Sequence, residues 1–501
     1  MTLVAISSLW WWLQLDDAPS VDMICGLRGR LPLVIYSSAE RNSEMLKSDL
    51  LLSLFGVQRF SLGVKFEHGQ AQGNACTQVV VWMRSSLSRR RQDGRIAFCE
   101  RVSSASSVTH APRPASSSSF HARSSRPPRP LQPRRSPPAS TPFSVDVPLA
   151  APFTIASSRL DAVSNVAVRV ELSSGAVGWG EAPVLPSVAA EDQPAALAAV
   201  ARACALLAAA PAAPLGAVLR DVADALPGHA FASARAGVEM AVIDAVANSI
   251  RIPLWRLFGG ASNSVTTDIT IPIVTPNEAA QLAAKYRGQG FETLKLKVGK
   301  NLNSDIEVLK AIRLVHPDCS FILDANEGYT ANQAVEVLDR LNEMGVTPVL
   351  FEQPVHRDDW EGLRDVSVAA MERYRVAVAA DESCRSLLDA QKIIHGNLAH
   401  VINIKLAKMG VLGALEVIDA ARKAGIALMI GGMVETRIAM GFAGHLAAGL
   451  GCFSFIDLDT PLLLSEDPVY GGYEASGPLY KFTNARGHGG FLHLDNNNGW
   501  K

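Results

Sequence analysis

The sequence has no C-x-x-C pair, and its seven cysteines (Cys25, Cys76, Cys99, Cys204, Cys319, Cys384 and Cys452) are odd in number and widely scattered. They read as free thiols in a reducing compartment rather than as a disulfide framework. No apolar run approaches the roughly 20 residues of a membrane-spanning helix, which argues against a membrane partner. An excess of one charge is missing too: 47 Lys+Arg meet 48 Asp+Glu, for a formal net charge of -1. The whole-chain signature of a nucleic-acid binder is thereby absent. Neither G-x-G-x-x-G nor a Walker sequence occurs, so the phosphate turn of an open, doubly wound nucleotide fold is lacking. What remains is a chain of 501 residues, 48% hydrophobic, too long for one minimal domain and too apolar to be disordered throughout.

The balanced charge hides an asymmetry. Residues 84–140 hold twelve arginines, no lysine, and only Asp93 and Glu100 as acids, which leaves the part of the chain beyond them near -10. Serine, proline and alanine make up most of the rest of that stretch, so it cannot bury enough apolar surface to offset chain entropy and is expected to be disordered. Arg- and Ser-rich, acid-poor leaders of this kind are typical of organelle import presequences, plastid ones among them; a basic nucleic-acid-binding tail is the alternative. Without import the expected compartment is the cytoplasm. The apolar stretch Leu3 to Leu15, with Trp10, Trp11 and Trp12 in a row, lacks a preceding basic region and receives no structural role. The expected organisation is an upstream extension over 1–82, a disordered leader over 83–140, an α+β capping domain over 141–265, a (β/α)₈-type barrel over 266–465, and a C-terminal segment over 466–501 that returns to the cap.

In the cap, Phe143 to Val147, Asn165 to Leu172 and Gly178 to Glu181 read as a small antiparallel sheet, with Ser173, Ser174 and Gly175 as turn residues. Gln193 to Ala210 and Ala230 to Ile250 are Ala-rich at helical spacing. Beyond them, short β-branched strands alternate with amphipathic helices at a period near 26 to 29 residues. The strands are Thr267 to Ile273, Thr293 to Val298, Phe321 to Asp324, Val349 to Glu352, Val376 to Ala380, His400 to Lys405, Ala427 to Ile430 and Phe455 to Leu458. Eight such strands specify an α/β fold with a closed barrel.

Barrel chemistry sits where strands end at the C-terminal face. Strand two ends Lys295-Leu296-Lys297, and alternation points both lysines the same way. Close together and buried, two ammonium groups disfavour each other's charge, so at least one is expected to have a lowered pKa and to serve as a base. Strands three, four and five end in Asp324, Glu352 and Asp381, spaced 28 and 29 residues apart, one barrel unit each. Three carboxylates at similar height repel unless a cation lies between them, and an all-oxygen set favours Mg²⁺ over zinc. Strand six ends in Lys405, opposite strand two in an eight-membered ring. A carboxylate substrate on the metal would then have its α-carbon between Lys297 and Lys405, one removing a proton and the other returning it on the opposite face. A Schiff-base role for Lys405 remains open by residue type, although an aldolase has no need of the three acids.

These residues resemble the enolase superfamily in its muconate-lactonizing subgroup, and most closely the dipeptide epimerases. The matching elements are Lys295-Leu296-Lys297, Asp324-Ala325-Asn326, Glu352-Gln353-Pro354, Asp381-Glu382-Ser383 and Asn403-Ile404-Lys405, with Gly178-Trp179-Gly180-Glu181-Ala182-Pro183 in the cap. The pairing of lysine bases with Mg²⁺ in this superfamily is general knowledge. The resemblance implies Asp324, Glu352 and Asp381 as ligands of one Mg²⁺ per subunit, and Lys297 with Lys405 as the acid/base pair acting through an enediolate. It also places Lys295 near the substrate carboxylate, where it would lower the pKa of Lys297.

The subgroup also holds cycloisomerases and N-acylamino acid racemases. Here strand eight ends Asp457-Leu458-Asp459, and the resemblance implies that this D-x-D receives a substrate's α-ammonium, which a muconate or an N-acylated amino acid does not offer. The expected activity is epimerisation of the C-terminal residue of a dipeptide such as L-Ala-L-Glu. The alternatives are another activity of the subgroup or a catalytically silent barrel that binds. In relatives selective for glutamate an arginine follows the cap's Pro-Phe pair; counting from Gly175, Ser158 takes that place and Arg159 follows it, so Arg159 is the candidate for that contact. Gly431, Gly432, Met433 and Glu435 are expected to shape the pocket. Trp255, Leu257 and Phe258 read as packing residues, and His488 as no metal ligand. The expected partners are a small dipeptide and further copies of the chain in a homo-oligomer.

Overall fold

The computed structural model describes residues 140–185, 188 and 191–492, together with the strands Leu33–Ile35, Phe60–Ala71 and Asn74–Ser85. These three strands form an antiparallel sheet in a compact unit of their own, with Asn74–Ser85 in the middle. Leu3 to Leu15 and residues 86–139 of the expected leader lie outside the described residues.

In the cap, strands Thr141–Thr154, Arg159–Glu171 and Val177–Ala182 pair antiparallel in that order, the first with an irregularity between Pro148 and Phe153. Gly175 takes the turn at φ 84°, a left-handed conformation that glycine adopts without strain. The Gly178-Trp179-Gly180-Glu181 run shows what strand alternation does here. A Cβ on Gly178 would lie 2.1 Å from the Ala245 nitrogen, and one on Gly180 would lie 2.0 Å from the Gly237 carbonyl oxygen. The two glycines therefore let helix Ala232–Ser249 lie directly on the strand. The intervening Trp179 and Glu181 face the other way, Trp179 packing with Val434 and Ile438 of the barrel. Helices Gln193–Ala209 and Leu215–Ala225 complete the layer; the second was not evident from the sequence.

The barrel strands are β1 (Ile269–Ile271), β2 (Thr293–Lys297), β3 (Ser320–Asp324), β4 (Leu350–Glu352), β5 (Ala377–Ala380), β6 (Val401–Ile404), β7 (Ala427–Ile430) and β8 (Phe455–Ile456). They hydrogen-bond in parallel, in chain order, with every end within two residues of the expected bounds, the full two-residue differences falling at both ends of β1 and at the end of β8. The ring closes where the Asp268 amide donates to the Ile456 carbonyl at 3.0 Å and the Leu458 amide donates to Thr267 Oγ1 at 2.9 Å.

Alternation sorts the strand residues into two sets. Leu294, Leu296, Phe321, Leu323, Phe351, Val378, Ile402, Ile404, Leu428 and Ile430 belong to the main core with the surrounding helices. Ile322, Leu350, Ala379, Val401 and Met429 form a separate apolar cluster, the floor inside the ring. Two residues further along each strand stand Asp324, Glu352, Asp381, Asn403 and Gly431, so the polar layer lies directly above that floor. Thr275 with Glu278 and Thr330 with Gln333 form capping boxes that start two of the barrel helices.

The C-terminal strands Val469–Gly471 and Gly490–Leu492 pair with each other, and Val469 and Leu492 pack with Val145, Val147 and Phe153 of the cap. Among the described residues no helix is long and apolar enough to cross a membrane.

Candidate active site

The polar layer is held by side chains that reach across neighbouring strands. Lys297 Nζ lies 2.6 Å from Asp324 Oδ2, and Lys405 Nζ lies 2.6 Å from Asp381 Oδ2. Between them Lys295 Nζ sits 3.0 Å from Asp324 Oδ2, 2.8 Å from Glu352 Oε2 and 2.6 Å from Asp457 Oδ2. β2 and β6 stand four places apart in the eight-strand order, so Lys297 and Lys405 come to the carboxylates from opposite sides of the ring.

The amide side chains of three rim motifs, Asn403, Asn326 and Gln353, brace an acid or a turn on another strand. Asn403 Nδ2 donates to Glu352 Oε1 at 2.7 Å, and Asn326 Nδ2 donates to Glu382 Oε1 at 3.0 Å. Gln353 Oε1 accepts from the Asp381 and Ser383 amides, while its Nε2 donates to Ser383 Oγ. Asn326, Glu327 and Gln353 hold positive φ, strained for side-chain-bearing residues, and such strain gathers where surrounding bonds over-determine a functional rim.

Lys408 lies one helical turn beyond Lys405. Its ammonium donates to Asp381 Oδ1 and the Asp381 carbonyl, both at 2.5 Å, and to the Asn403 carbonyl at 3.1 Å. Asp381 therefore offers one oxygen to Lys408 and the other to Lys405.

The electrostatics follow from these contacts. Burial pushes the Asp324 carboxyl up, but Lys295, Lys297 and Lys405 outweigh it and hold the group at about 2. Asp381 is likewise held far below the usual range against burial, by Lys405 and Lys408. Burial and then Asp324 push Glu352 up to about 7, and burial and then Asp381 push Glu382 up to about 8. The expectation of a depressed lysine is corrected for Lys295. Burial disfavours its charge, yet Asp324, Asp457 and Glu352, with carboxylate oxygens 2.6 to 3.0 Å from its nitrogen, raise its pKa well above the ordinary value. Lys405 is raised in the same way, by Asp381.

Asp457 and Asp459 both face the ring interior. Asp457 contacts Lys295, and Asp459, fully buried, accepts from the Thr270 amide at 2.6 Å. Burial and then Asp457 push Asp459 up to about 7. Asp268 joins them from the start of β1, and oxygens of the three acids lie within 4.8 Å of one another. Among the described residues this is the trio drawn that close; Asp324, Glu352 and Asp381 have ammonium groups between them.

Gly431 lies close against the polar layer: a Cβ there would lie 3.1 Å from the Asn403 side chain and 3.2 Å from Asp457 Oδ2, closer than ordinary van der Waals contact. A Cβ on Gly432 would lie 2.2 Å from the terminal methyl of Met440, a flexible side chain, and Met433 packs with Leu160, Leu185, Val188 and Ala407 where cap and barrel meet. Glu435 accepts from the Met433 amide at 2.8 Å, and burial followed by the charge of Glu181 pushes it up to about 8. Arg159 is not brought to this group. Its side chain is 61% exposed and pairs with Asp161 at 3.1 Å, two residues along the same face of an exposed strand.

The architecture and its rim have relatives. Residues 140–259 match the Mandelate racemase / muconate lactonizing enzyme N-terminal domain, and residues 278–495 match the Enolase C-terminal domain-like family. An L-Ala-D/L-amino acid epimerase of Populus trichocarpa is 71% identical over 352 residues, which are 70% of this chain and 84% of that protein. The chain belongs to the dipeptide epimerases, a group of isomerases in the enolase superfamily. An aromatic dipeptide epimerase of Herpetosiphon aurantiacus is 40% identical, over 69% of this chain and 96% of its own. The solved dipeptide epimerase of Enterococcus faecalis V583, complexed with Mg and L-Leu-L-Tyr, superposes with a TM-score of 0.66 at 33% identity, covering 71% of this chain and 99% of its own.

The donor set suits a hard cation. Glu352 Oε2 and Asp381 Oδ2 are buried carboxylate oxygens with ammonium groups nearby but no hydrogen bond of good geometry, and the surrounding donors are all oxygen. Sequence reasoning gave no role to Asn403, Gln353 and Asn326, although they lay inside quoted motifs, and it passed over Lys408 and Asp268. The spacing of three from Lys405 to Lys408 and of two from Asp268 to Thr270 was the available signal.

Proposed function

We propose that the chain epimerises dipeptides at the α-carbon of the C-terminal residue by a two-base proton transfer. The observation that carries this reading is the placement of Lys297 and Lys405 on opposite strands, each against a rim carboxylate. In this reading Lys297 takes or returns the α-proton on one face of the substrate and Lys405 does so on the other. Asp324, Glu352 and Asp381 would hold one Mg²⁺, which when bound supplies electrostatic stabilisation of the negative charge developing on the substrate carboxylate. Engagement of those acids with a cation would leave the lysines less tightly paired than the contacts described above. Lys295 holds the charge balance of Asp324, Glu352 and Asp457 and lies where a substrate carboxylate would approach. Asp457 and Asp459 receive the α-ammonium.

The apolar group Leu160, Leu185, Val188 and Met433, together with the outward position of Arg159, supports acceptance of small and apolar side chains over a strict demand for glutamate. The relatives named for aromatic and general amino acids agree with that direction.

Incubation with L-Ala-L-Glu, L-Ala-L-Phe and L-Leu-L-Tyr in D₂O with Mg²⁺, followed by NMR, tests the proposal. Deuterium at the C-terminal α-carbon and appearance of the second diastereomer are the expected results; no exchange with any dipeptide rejects the reading. Exchange confined to N-acylated amino acids would identify an acylamino-acid racemase instead.

A further inference from the structure

We propose that Asp268 is a third recognition residue for the substrate's free α-ammonium, completing a three-sided acid pocket with Asp457 and Asp459. This rests on the reading that the latter two receive that group. The argument begins with β1. Asp268 and Thr270 are two residues apart and point to the same, interior face of the ring. Thr270 stands beside Lys295 in the ladder, and its amide holds Asp459 Oδ2 at 2.6 Å. The Asp268 amide closes the ring on Ile456, which brings its carboxyl beside Asp457.

Asp268 is only 4% exposed, yet neither of its carboxylate oxygens has a hydrogen-bond partner, and Asp459 Oδ1 has none either. A buried carboxyl group without a partner is costly, so a site that keeps one invites a ligand that complements it. An ammonium carries three N–H donors and one positive charge. Three acids with oxygens inside 4.8 Å offer one acceptor each. An N-acylated amino acid carries its nitrogen where the dipeptide has its peptide N–H and places no donor or charge in the acid pocket, so it would leave all three acids uncompensated. Asp268 thereby sharpens selection of free dipeptides over acylated amino acids, a discrimination of the kind that a site built to satisfy polar groups achieves.

The test compares two inhibition constants in the Mg²⁺-loaded enzyme: for L-Ala-L-Phe as alternative substrate, and for propionyl-L-phenylalanine, which keeps the shape and lacks the ammonium. The expected result is that D268N lowers the preference for the charged ligand about tenfold, weakening L-Ala-L-Phe while leaving the propionyl compound unchanged, as D459N also does. Equal weakening of both ligands would overturn the proposal, since a structural defect acts on both alike. An unchanged ratio in D268N with a lowered ratio in D459N removes Asp268 alone; an unchanged ratio in D457N and D459N removes the underlying reading. D268S carries the same measurement if D268N fails to give a cooperative melt. Mn²⁺ titration by electron paramagnetic resonance supplies a check independent of activity. One ion per chain in both wild type and D268N is expected, whereas a second ion lost in D268N would make the trio a metal site and overturn the assignment.

Discussion

In the proposed mechanism Lys297 and Lys405 each act with one nitrogen, and each nitrogen lies 2.6 Å from a single carboxylate oxygen. Replacing either by alanine is expected to lower the epimerisation rate by about 10² to 10⁴-fold, the usual range for a general base, with melting temperature little changed. Polarimetry with L-Ala-L-Phe reads the rate, and a variant within threefold of wild type would remove that lysine from the chemistry. Away from the site, Glu239 shows how burial alone couples protonation to stability. Burial pushes its carboxyl up from the ordinary 4.5 to about 7, against the opposing pull of Arg235. The folded state therefore holds this proton more tightly than the unfolded chain does. Its contribution is fully present below about pH 4.5 and is lost as pH rises through about 7. Urea denaturation of wild type and E239Q should diverge over that window, wild type losing on the order of 3 kcal/mol relative to the variant. Parallel curves would contradict the shift.

At the scale of elements, the rim motifs work as cross-braces between strands. Asn403 on β6 fixes Glu352 on β4, and Gln353 after β4 fixes the turn after β5. The acids were legible because strand and helix repeat at 26 to 29 residues and alternation aims every second side chain inward. The braces were not, because an amide in a turn could bond many partners and only the stagger of strands selects one. The cap strand carrying Gly178 and Gly180 makes a second element-scale case. In G180A the new methyl would meet the backbone of helix Ala232–Ser249 at 2.0 Å, and neither backbone can yield. The expected loss is about 3 kcal/mol or more by urea denaturation, with the helix displaced from the strand. A loss below about 1 kcal/mol would show that the layer relaxes freely.

For the whole molecule, cap and barrel are joined at the site itself. Glu181 of the cap accepts from the Thr436 amide and hydroxyl and from the Ala439 amide, capping the barrel helix Arg437–Leu450, while Asn165 donates to the Val434 carbonyl. The loop bearing Gly432, Met433 and Glu435 is thus clasped from the cap. If Asp324, Glu352 and Asp381 bind Mg²⁺ only in the folded state, the ion stabilises the folded form. At a free concentration of one hundred times Kd the gain is about 2.7 kcal/mol, read as a rise in Tm that EDTA reverses and that D324N abolishes. An identical Tm with and without Mg²⁺ would reject binding at these acids.

The order of the amino acids by itself determined the succession of eight strands, the inward face of each, and which carboxylates and lysines stand at the strand ends, because these depend only on local periodicity. Tertiary structure decided what those groups meet. Ring closure brought Asp268 beside Asp457 and Asp459, from opposite ends of the barrel sequence. The cap hairpin turned Arg159 outward to Asp161. Three carboxylates converged on Lys295 and raised a pKa that the neighbouring Lys297, considered alone, would lower. Charge interactions fall off with distance, and distances between remote segments exist only once the chain has closed on itself.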